Sequence, residues 1–150
     1  MPSVLLVNGP NLDLLGQREP ETYGSETLSE VEARVVALGL ELGVDVECVQ
    51  RSGEGELVEQ VHRARSMHGL ILNAGGYSHY SYALRDAVAA AEVPCIEVHI
   101  SNIHAREEFR HTSVIAPVTA GFISGCGTLG YELALRACVA RIDEGWRSGR

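Results

Sequence analysis

At 150 residues, with 45% hydrophobic and 21% charged residues, the chain has the length and composition of one water-soluble globular domain, residues 1–150. Its net charge of −8 argues against nucleic acid as a partner, and no apolar run reaches the roughly 20 residues that span a membrane. The start of the chain lacks the basic and long apolar segments of a signal peptide, so we expect a cytoplasmic protein.

The four cysteines show neither close pairs nor the spacing of a metal site. They are Cys48, Cys95, Cys126 and Cys138, and each has apolar neighbours in the sequence. This pattern favours four small core side chains and predicts no metal site.

Short apolar runs alternate with helical patterns along the whole chain. The runs predict strands at 4–7, 44–48, 69–73, 94–98 and 113–118, and the helical spacings predict helices at 28–42, 55–66, 80–92 and 129–140. Thr27 with Glu30 predicts a capping box at the start of the first helix, and Gly43 predicts its end. Leu129 and Leu133 mark the last helix, after which a polar tail follows at about 146–150.

Strands that alternate with helices in a domain of this size predict an α/β fold. The expected architecture is a flavodoxin-like, doubly wound sheet of five parallel strands in the order 2-1-3-4-5, with right-handed crossovers. The second strand alternates apolar and acidic residues, which is typical of a half-exposed strand at the edge of the sheet.

Polar, glycine-rich segments follow the first, third and fourth predicted strands, at 8–24, 73–79 and 99–110. Because these strands are neighbours in the expected order, the segments meet at the carboxyl edge of the sheet, where such folds bind ligands. The net negative charge disfavours an anionic substrate unless arginines lie nearby, and these segments contain Arg18, Arg106 and Arg110.

The loop after the first strand, 9–24, is longer than most connections and contains five glycine or proline residues. A functional lid at about 16–24 is the favoured interpretation, because the loop includes Arg18 and Tyr23. Alternatively, Arg18 is a solvated surface residue and Tyr23 packs the loop onto the domain.

Glu97 and His99 are two residues apart on a predicted strand and therefore point to the same face, where the carboxylate can orient the imidazole. A purely structural pair is the alternative. Structural alternatives exist for three other residues as well: Asn11 closes an Asx turn, Asn73 caps the next segment, and His79 marks the start of the alanine-rich helix.

Together, these segments resemble the signatures of the type II 3-dehydroquinate dehydratases. The residues that match are 8–16, 18–20, 23–24, 73–76 with His79, Ser81 and 83–86, then 97–102, 106–107, 109–110 and 121–134. The resemblance covers essentially the whole chain, and three motifs in the same order make it specific. Small departures occur at Asp13, Tyr77 and 111–113.

The resemblance implies a reversible anti elimination of water from 3-dehydroquinate through an enolate. Tyr23 is implied as the base with Arg18 beside it, Asn11 as the contact of the enolate oxygen, and His99, oriented by Glu97, as the acid for the leaving hydroxyl. A tyrosine with the ordinary pKa of about 10 is ionised in roughly one molecule in a thousand at neutral pH, so such a base needs a neighbouring cation.

The resemblance also assigns substrate contacts. Asn73 and the backbone amides of Ile100 and Ser101 are implied to hold the substrate carboxylate, and His79 and Arg110 to contact the ring hydroxyls. It implies no cofactor and no metal. A Schiff-base mechanism is excluded, because all twelve basic residues other than histidine are arginines and the chain contains no lysine.

The family resemblance further implies a homododecamer of four trimers, in which Asp86 of one subunit reaches a neighbour's site. It leaves open whether the reaction serves shikimate biosynthesis or quinate breakdown. Two alternative functions remain. One is a flavodoxin-like module that binds flavin or phosphate, with 73–76 as an anion-binding turn. The other is a receiver-type interaction domain, which would need an acidic cluster after the first strand, where this chain has 8–11 instead.

Overall fold

The computed structural model describes residues 1–19, 21 and 25–147. Its centre is one sheet of five parallel strands in the order β2-β1-β3-β4-β5. The strands are β1 (Ser3–Asn8), β2 (Asp45–Gln50), β3 (Gly69–Asn73), β4 (Cys95–His99) and β5 (Gly121–Ser124). The predicted doubly wound sheet and its strand order are confirmed, and β2 is an edge strand as expected.

Four α-helices cover the two faces of the sheet. They are α1 (Leu28–Leu42), α2 (Glu54–Arg63), α3 (Tyr82–Ala91) and α4 (Leu129–Asp143). Helices α1 and α4 pack on one face, and α2 and α3 pack on the other. Within the described part of the chain, no helix is both long and apolar enough to cross a membrane.

The interior strands β1, β3 and β4 are buried along nearly their whole length because both of their faces are covered. In β1, Val4 and Leu6 belong to the core beneath α1 and α4, whereas Leu5 and Val7 belong to the core beneath α2 and α3. All four side chains are completely buried. Burial of each such side chain contributes about 1.5–3 kcal/mol, so the sheet is held from both sides.

The first helix starts and ends where the sequence predicts. Thr27 Oγ1 accepts a hydrogen bond from Glu30 N at 3.2 Å, and Gly43 ends the helix with φ +79°. The capping box forms only in part. In a complete box the Glu30 carboxylate would accept from the backbone amide of Thr27, whereas here it accepts from the Thr27 hydroxyl, also at 3.2 Å. Gly43 adopts the left-handed conformation that glycine reaches without strain.

The prediction of a fifth strand at 113–118 is wrong, since the fifth strand is Gly121–Ser124. Ser113 Oγ accepts hydrogen bonds from Ile115 N and Ala116 N, which turns the chain locally. Pro117 then lies at the start of a short 3-10 helix, Ala116–Val118. Proline cannot donate to a strand ladder, so the apolar run forms a turn instead.

The prediction that all four cysteines are core residues is wrong for Cys126, which is exposed. It lies between Gly125 and Gly127, whose φ angles are +91° and +64°, in the tight turn after β5. Cys95 and Cys138 are buried, and Cys48 is partly buried.

The last helix exists as predicted, but the leucines that marked it lie on its outer face. Leu129 and Leu133 are exposed, whereas Tyr131, Leu135 and Cys138 face the sheet. An apolar stripe therefore remains on the outside of α4.

Candidate active site

The loops that follow β1 and β3 pack backbone against backbone. Gly9 N donates to the Asn73 carbonyl at 2.8 Å, and a Cβ at Gly9 would lie only 2.7 Å from the carbonyl oxygen of Ala74. Gly75 has φ +62°, and a Cβ there would lie 3.2 Å from the carbonyl oxygen of Pro10. Larger residues would push the loops apart, so these glycines allow both loops to end at one edge.

A cleft opens at this edge, between the loops after β1, β3 and β4. Eight of the predicted site residues line it: Asn11, Arg18, Asn73, His79, His99, Ile100, Ser101 and Arg110. Arg106 lines it as well. Among the described residues, the lining contains three arginines, two histidines and no aspartate or glutamate. Glu19 pairs with Arg18, and Glu107 pairs with both Arg106 and Arg110, so the three arginines exceed these acidic partners by one charge. A chain with a net charge of −8 therefore presents a cationic cleft that favours an anionic ligand.

The three remaining predicted residues do not line the cleft. Glu97 is completely buried and contacts His99. Asp86 lies exposed on α3, away from the cleft of its own chain. Tyr23 lies outside the described residues.

Glu97 and His99 form a buried pair at the end of β4. His99 Nε2 lies 2.5 Å from Glu97 Oε2, and His99 is only 6% exposed. The contact expected from the two-residue spacing is present. It leaves Nδ1 as the imidazole nitrogen that is not bonded to Glu97.

Ser113 holds the same carboxylate, a contact that was not predicted from the sequence. Its Oγ lies 2.8 Å from Oε1 and 2.7 Å from Oε2 of Glu97. The hydroxyl can donate only one proton, and it accepts from the amides of Ile115 and Ala116, so that proton is directed to the carboxylate. A serine whose hydroxyl can bond the backbone two residues on, in a segment that also contains Pro117, is a turn signal that could have identified this position.

His79 has a fixed tautomer. Its Nδ1 lies 2.9 Å from the carbonyl oxygen of Thr112, which can only accept, so Nδ1 carries a proton. Burial lowers the pKa of His79, and nearby His99 and Arg110 act in the same direction, while the Thr112 contact opposes them. The imidazole is therefore neutral at neutral pH, and its Nε2 can accept a hydrogen bond.

Asn11 does not close an Asx turn, and His79 does not mark the start of the alanine-rich helix, which were their alternative structural roles. Asn11 adopts φ +70° before a short 3-10 helix, and its side chain makes no capping hydrogen bond. Helix α3 is capped by Ser81, whose Oγ accepts from Leu84 N at 3.1 Å, rather than by His79. His79 ends a separate 3-10 helix, Gly75–His79, that brings it to the cleft.

Asn73 is held on two sides. Its Oδ1 accepts from Gly75 N at 3.1 Å, so the expected local cap is present, and its Nδ2 lies 2.8 Å from the Tyr131 hydroxyl. Tyr131 Oη in turn donates to Asn8 Oδ1 at 2.7 Å. Tyr131 lies 58 residues from Asn73 along the chain, so no local pattern in the sequence pointed to this contact.

The arginines at the outer end of the cleft share one acidic partner. Glu107 Oε1 lies 3.1 Å from Arg110 Nε and 3.8 Å from Arg106 Nε. Arg106 also donates to Ser101 Oγ at 3.3 Å. Arg106 was not among the predicted site residues, although it lies four residues before Arg110 in the same segment.

The ends of the predicted lid loop meet at Gly16. This residue has φ +89°, and a Cβ there would lie 2.8 Å from the carbonyl oxygen of Ser25 and 2.9 Å from that of Glu26. The Glu26 carboxylate pairs with Arg34 and accepts from Thr128 Oγ1 at 2.6 Å. The far end of the loop is thus anchored to α1 and to the residue before α4. Residues 20 and 22–24 lie outside the described part.

The described residues include no group of three or more histidine, cysteine, aspartate or glutamate side chains placed to hold a metal ion.

The carbonyl oxygens of Ile100 and Ser101 accept hydrogen bonds from residues at or just after the end of β5. Gly127 N donates to the Ile100 carbonyl at 3.0 Å, and Ser124 Oγ donates to the Ser101 carbonyl at 3.0 Å.

Known proteins match this chain along nearly its full length. The family model described as dehydroquinase class II matches residues 2–139. A 3-dehydroquinate dehydratase of Desulforudis audaxviator is 56% identical over 143 residues, 95% of each chain. One from Anoxybacillus flavithermus is 54% identical over 140 residues, 93% of this chain and 95% of the relative.

A solved structure agrees with these sequence matches. The type II dehydroquinase from Propionibacterium acnes superposes with a TM-score of 0.88 at 45% identity, covering 93% of this chain and 97% of the other. These matches do not favour the alternative of a flavin- or phosphate-binding module. Sequence and fold agree, and the chain belongs to the class II dehydroquinase family.

Proposed function

We infer that this chain is a 3-dehydroquinate dehydratase, a hydro-lyase that converts 3-dehydroquinate to 3-dehydroshikimate. The observation that carries the inference is the buried Glu97–His99 pair, which reaches a cleft lined by three arginines in a member of this family. The substrate is a carboxylate at neutral pH, so the cationic lining offsets the repulsion expected from a net charge of −8.

The first step of the proposed reaction removes the proton alpha to the ketone. We assign this step to Tyr23 on the family resemblance, with Arg18 as the cation that favours its phenolate. Arg18 is half-buried and lines the cleft, which supports its placement near the reacting atoms. Asn11, also in the lining, is assigned to the oxygen of the enolate, where a donor stabilises the developing charge.

The second step expels the hydroxyl beta to the ketone. His99 protonates it, and the proton and hydroxyl leave as water. Nε2 is turned to Glu97, so the proton comes from Nδ1. Glu97 and Ser113 limit the rotation of this imidazole, and a general acid in a fixed orientation contributes about 10²–10⁴-fold to the rate.

Substrate binding is assigned to the inner part of the cleft. Asn73 and the backbone amides of Ile100 and Ser101 hold the carboxylate, while His79 and Arg110 contact ring hydroxyls. His79 is suited to this role because its neutral Nε2 can accept a hydroxyl proton. No cofactor and no metal take part in the proposed reaction.

The assembly we propose is a homododecamer of four trimers, in which Asp86 reaches the site of a neighbouring subunit. Asp86 is exposed and lies away from its own cleft, and Tyr82, one turn earlier on α3, is 70% exposed. An exposed aromatic beside an exposed carboxylate suits a subunit contact. Light scattering tests the assembly, and a monomer at working concentration would contradict it.

We place the enzyme in the cytoplasm, where it serves shikimate biosynthesis or quinate breakdown. Both routes use the same dehydration, so this placement does not alter the chemistry of the site.

A direct assay tests the proposed activity. Purified protein is mixed with 3-dehydroquinate, and the ultraviolet absorption of the conjugated enone product is followed over time. The matched control is His99→Ala purified in the same way, because a contaminating host dehydratase would be unaffected by that substitution. A wild-type protein that produces no absorbance change would overturn the proposed function.

A further inference from the structure

Three polar side chains form a row of hydrogen bonds beneath the cleft. Asn73 Nδ2 lies 2.8 Å from the Tyr131 hydroxyl, which lies 2.7 Å from Asn8 Oδ1. Asn8 and Asn73 are register partners at the ends of β1 and β3, and Tyr131 reaches them from the first turn of α4. Tyr131 and Asn8 are completely buried, and Asn73 is 4% exposed.

The direction of the hydrogen bond between Asn73 and Tyr131 follows from one backbone amide. Gly75 N can only donate, so the Asn73 oxygen faces it, and the Asn73 nitrogen faces Tyr131. The Tyr131 oxygen therefore accepts from Asn73. Its own proton is then free to be donated, and Asn8 Oδ1 receives it.

We propose that Tyr131 is a positioning residue for substrate binding, which holds the amide of Asn73 so that its second N–H serves an anionic group in the cleft. This inference rests on the proposed function, in which Asn73 contacts the substrate carboxylate. A side-chain amide has two N–H donors, and Tyr131 takes one of them. The other belongs to a residue that lines the cleft.

Among the described residues, the hydroxyl of Tyr131 forms hydrogen bonds only with Asn73 and Asn8. The ring lies among apolar residues of α1, α4 and the sheet, where phenylalanine would pack as well. Burial raises the pKa of Tyr131 well above its ordinary value, so the hydroxyl keeps the proton that it donates to Asn8.

Asn8 supports the same interpretation. Its Nδ2 is buried and has no hydrogen-bond partner among the described residues. A buried donor without a partner destabilises a fold, and an apolar side chain at this position would avoid that penalty. The oxygen of Asn8 is therefore the useful part of the side chain, and Tyr131 is what it contacts.

Steady-state kinetics of Tyr131→Phe test the proposal. This variant keeps the ring and removes the hydroxyl. We expect KM for 3-dehydroquinate to rise about tenfold, which corresponds to ~1.4 kcal/mol of binding. We expect kcat to stay within about twofold, because a group that binds substrate and transition state equally changes KM alone. The matched control is Leu135→Val, a buried change one turn later on α4 that removes no hydrogen bond to Asn73 and should leave KM unchanged.

A double-mutant comparison separates positioning from mere structural support. If Tyr131 acts through Asn73, then Asn73→Ala with Tyr131→Phe should have the same KM as Asn73→Ala alone. Independent, multiplying effects would overturn the proposal, and so would an unchanged KM or a lowered kcat alone in Tyr131→Phe.

Asn8→Leu provides a second route should Tyr131→Phe fail to fold. It removes the acceptor of the Tyr131 proton and should raise KM, as Tyr131→Phe should. An unchanged KM would again overturn the proposal. Turnover by the wild-type protein distinguishes a failure of the proposed function from a failure of the role of Tyr131. Absence of turnover would overturn the proposed function together with this role, whereas normal turnover with an unaffected KM in the variants would remove only the role of Tyr131.

Discussion

The hydroxyl of Ser113 lies within 2.8 Å of both oxygens of Glu97, so the carboxylate beside His99 is held by a second side chain. Ser113 is itself fixed by two backbone amides in the turn before β5. The orientation of His99 therefore depends on a residue that does not line the cleft.

We expect Ser113→Ala to lower kcat by about tenfold, equivalent to ~1.4 kcal/mol. This is close to the lower end of the ~1.5–3 kcal/mol that a hydrogen bond to a charged group contributes. KM should change by less than about twofold, since Ser113 is not assigned to substrate binding. Thr119→Ala is the control, because its hydroxyl bonds to the Ala116 carbonyl in the same segment without contacting Glu97. Equal effects of the two substitutions on kcat would contradict this expectation.

Substitutions of His99 and of Tyr23 should block different proton transfers. His99→Ala should reduce dehydration by about 10²–10⁴-fold, while exchange of the alpha proton with deuterated water continues, because Tyr23 and Arg18 remain. Tyr23→Phe should lose both dehydration and exchange. Proton NMR of the substrate in deuterated water measures the exchange. If Tyr23→Phe exchanges the proton as fast as the wild type, the base must be His99 rather than Tyr23.

Substrate affinity should fall with the protonation of His79. Burial lowers its pKa from the ordinary 6.5. A proton that binds at lower pH converts Nε2 from an acceptor to a donor, which should weaken the proposed contact with a ring hydroxyl. KM should therefore rise as the pH falls below 6.5. His79→Gln should flatten this dependence, whereas His62→Gln on the exposed surface of α2 should leave it unchanged.

The lowered pKa of His79 also predicts how the free energy of unfolding depends on pH. Between the folded-state pKa of His79 and 6.5, the unfolded chain binds more protons at this residue than the folded chain does. The free energy of unfolding must therefore rise with pH across that window and fall as the pH is lowered. Urea unfolding at several pH values, compared between wild type and His79→Gln, measures the difference. A steeper dependence in the variant would contradict the assignment.

Gly16 should be intolerant of a side chain. We expect Gly16→Ala to reduce the free energy of unfolding by about 1–3 kcal/mol, because alanine is strained at φ +89° and its Cβ would meet the carbonyl oxygens of Ser25 and Glu26. It should also lower kcat/KM, since Arg18 follows in the same loop. Gly55→Ala, in α2 with open space around it, should instead stabilise the fold by about 0.5–1 kcal/mol. Urea unfolding of both variants is the measurement, and a stabilising Gly16→Ala would refute the clash.

Patterns among residues that are close together in the sequence made much of this structure predictable. Continuous apolar runs indicate strands that are covered on both faces, and the alternation of such runs with helical spacings leads to the order β2-β1-β3-β4-β5. The contact between Glu97 and His99 also depends only on local geometry, because strand residues two apart share a face.

Contacts between distant parts of the chain were not predictable in this way. Tyr131 was hidden because the leucine spacing of α4 marks its exposed face, whereas the tyrosine faces the sheet. Ser113 was hidden because an apolar run suggested a strand where Pro117 imposes a turn. Arg106 was recognised as part of a motif, but its place in the cleft depends on how the chain folds after β4.

The cationic lining of the cleft has a consequence for the end of the catalytic cycle. Dehydration removes a hydroxyl from the ring and leaves the carboxylate in place, so the groups that we assign to the carboxylate, Asn73 and the backbone amides of Ile100 and Ser101, should bind the product as well as the substrate. Affinity of this kind is shared by both ligands and does not accelerate the chemical step. 3-Dehydroshikimate should therefore compete with 3-dehydroquinate at similar concentrations, and the net flux through the enzyme depends on how quickly the next reaction consumes it.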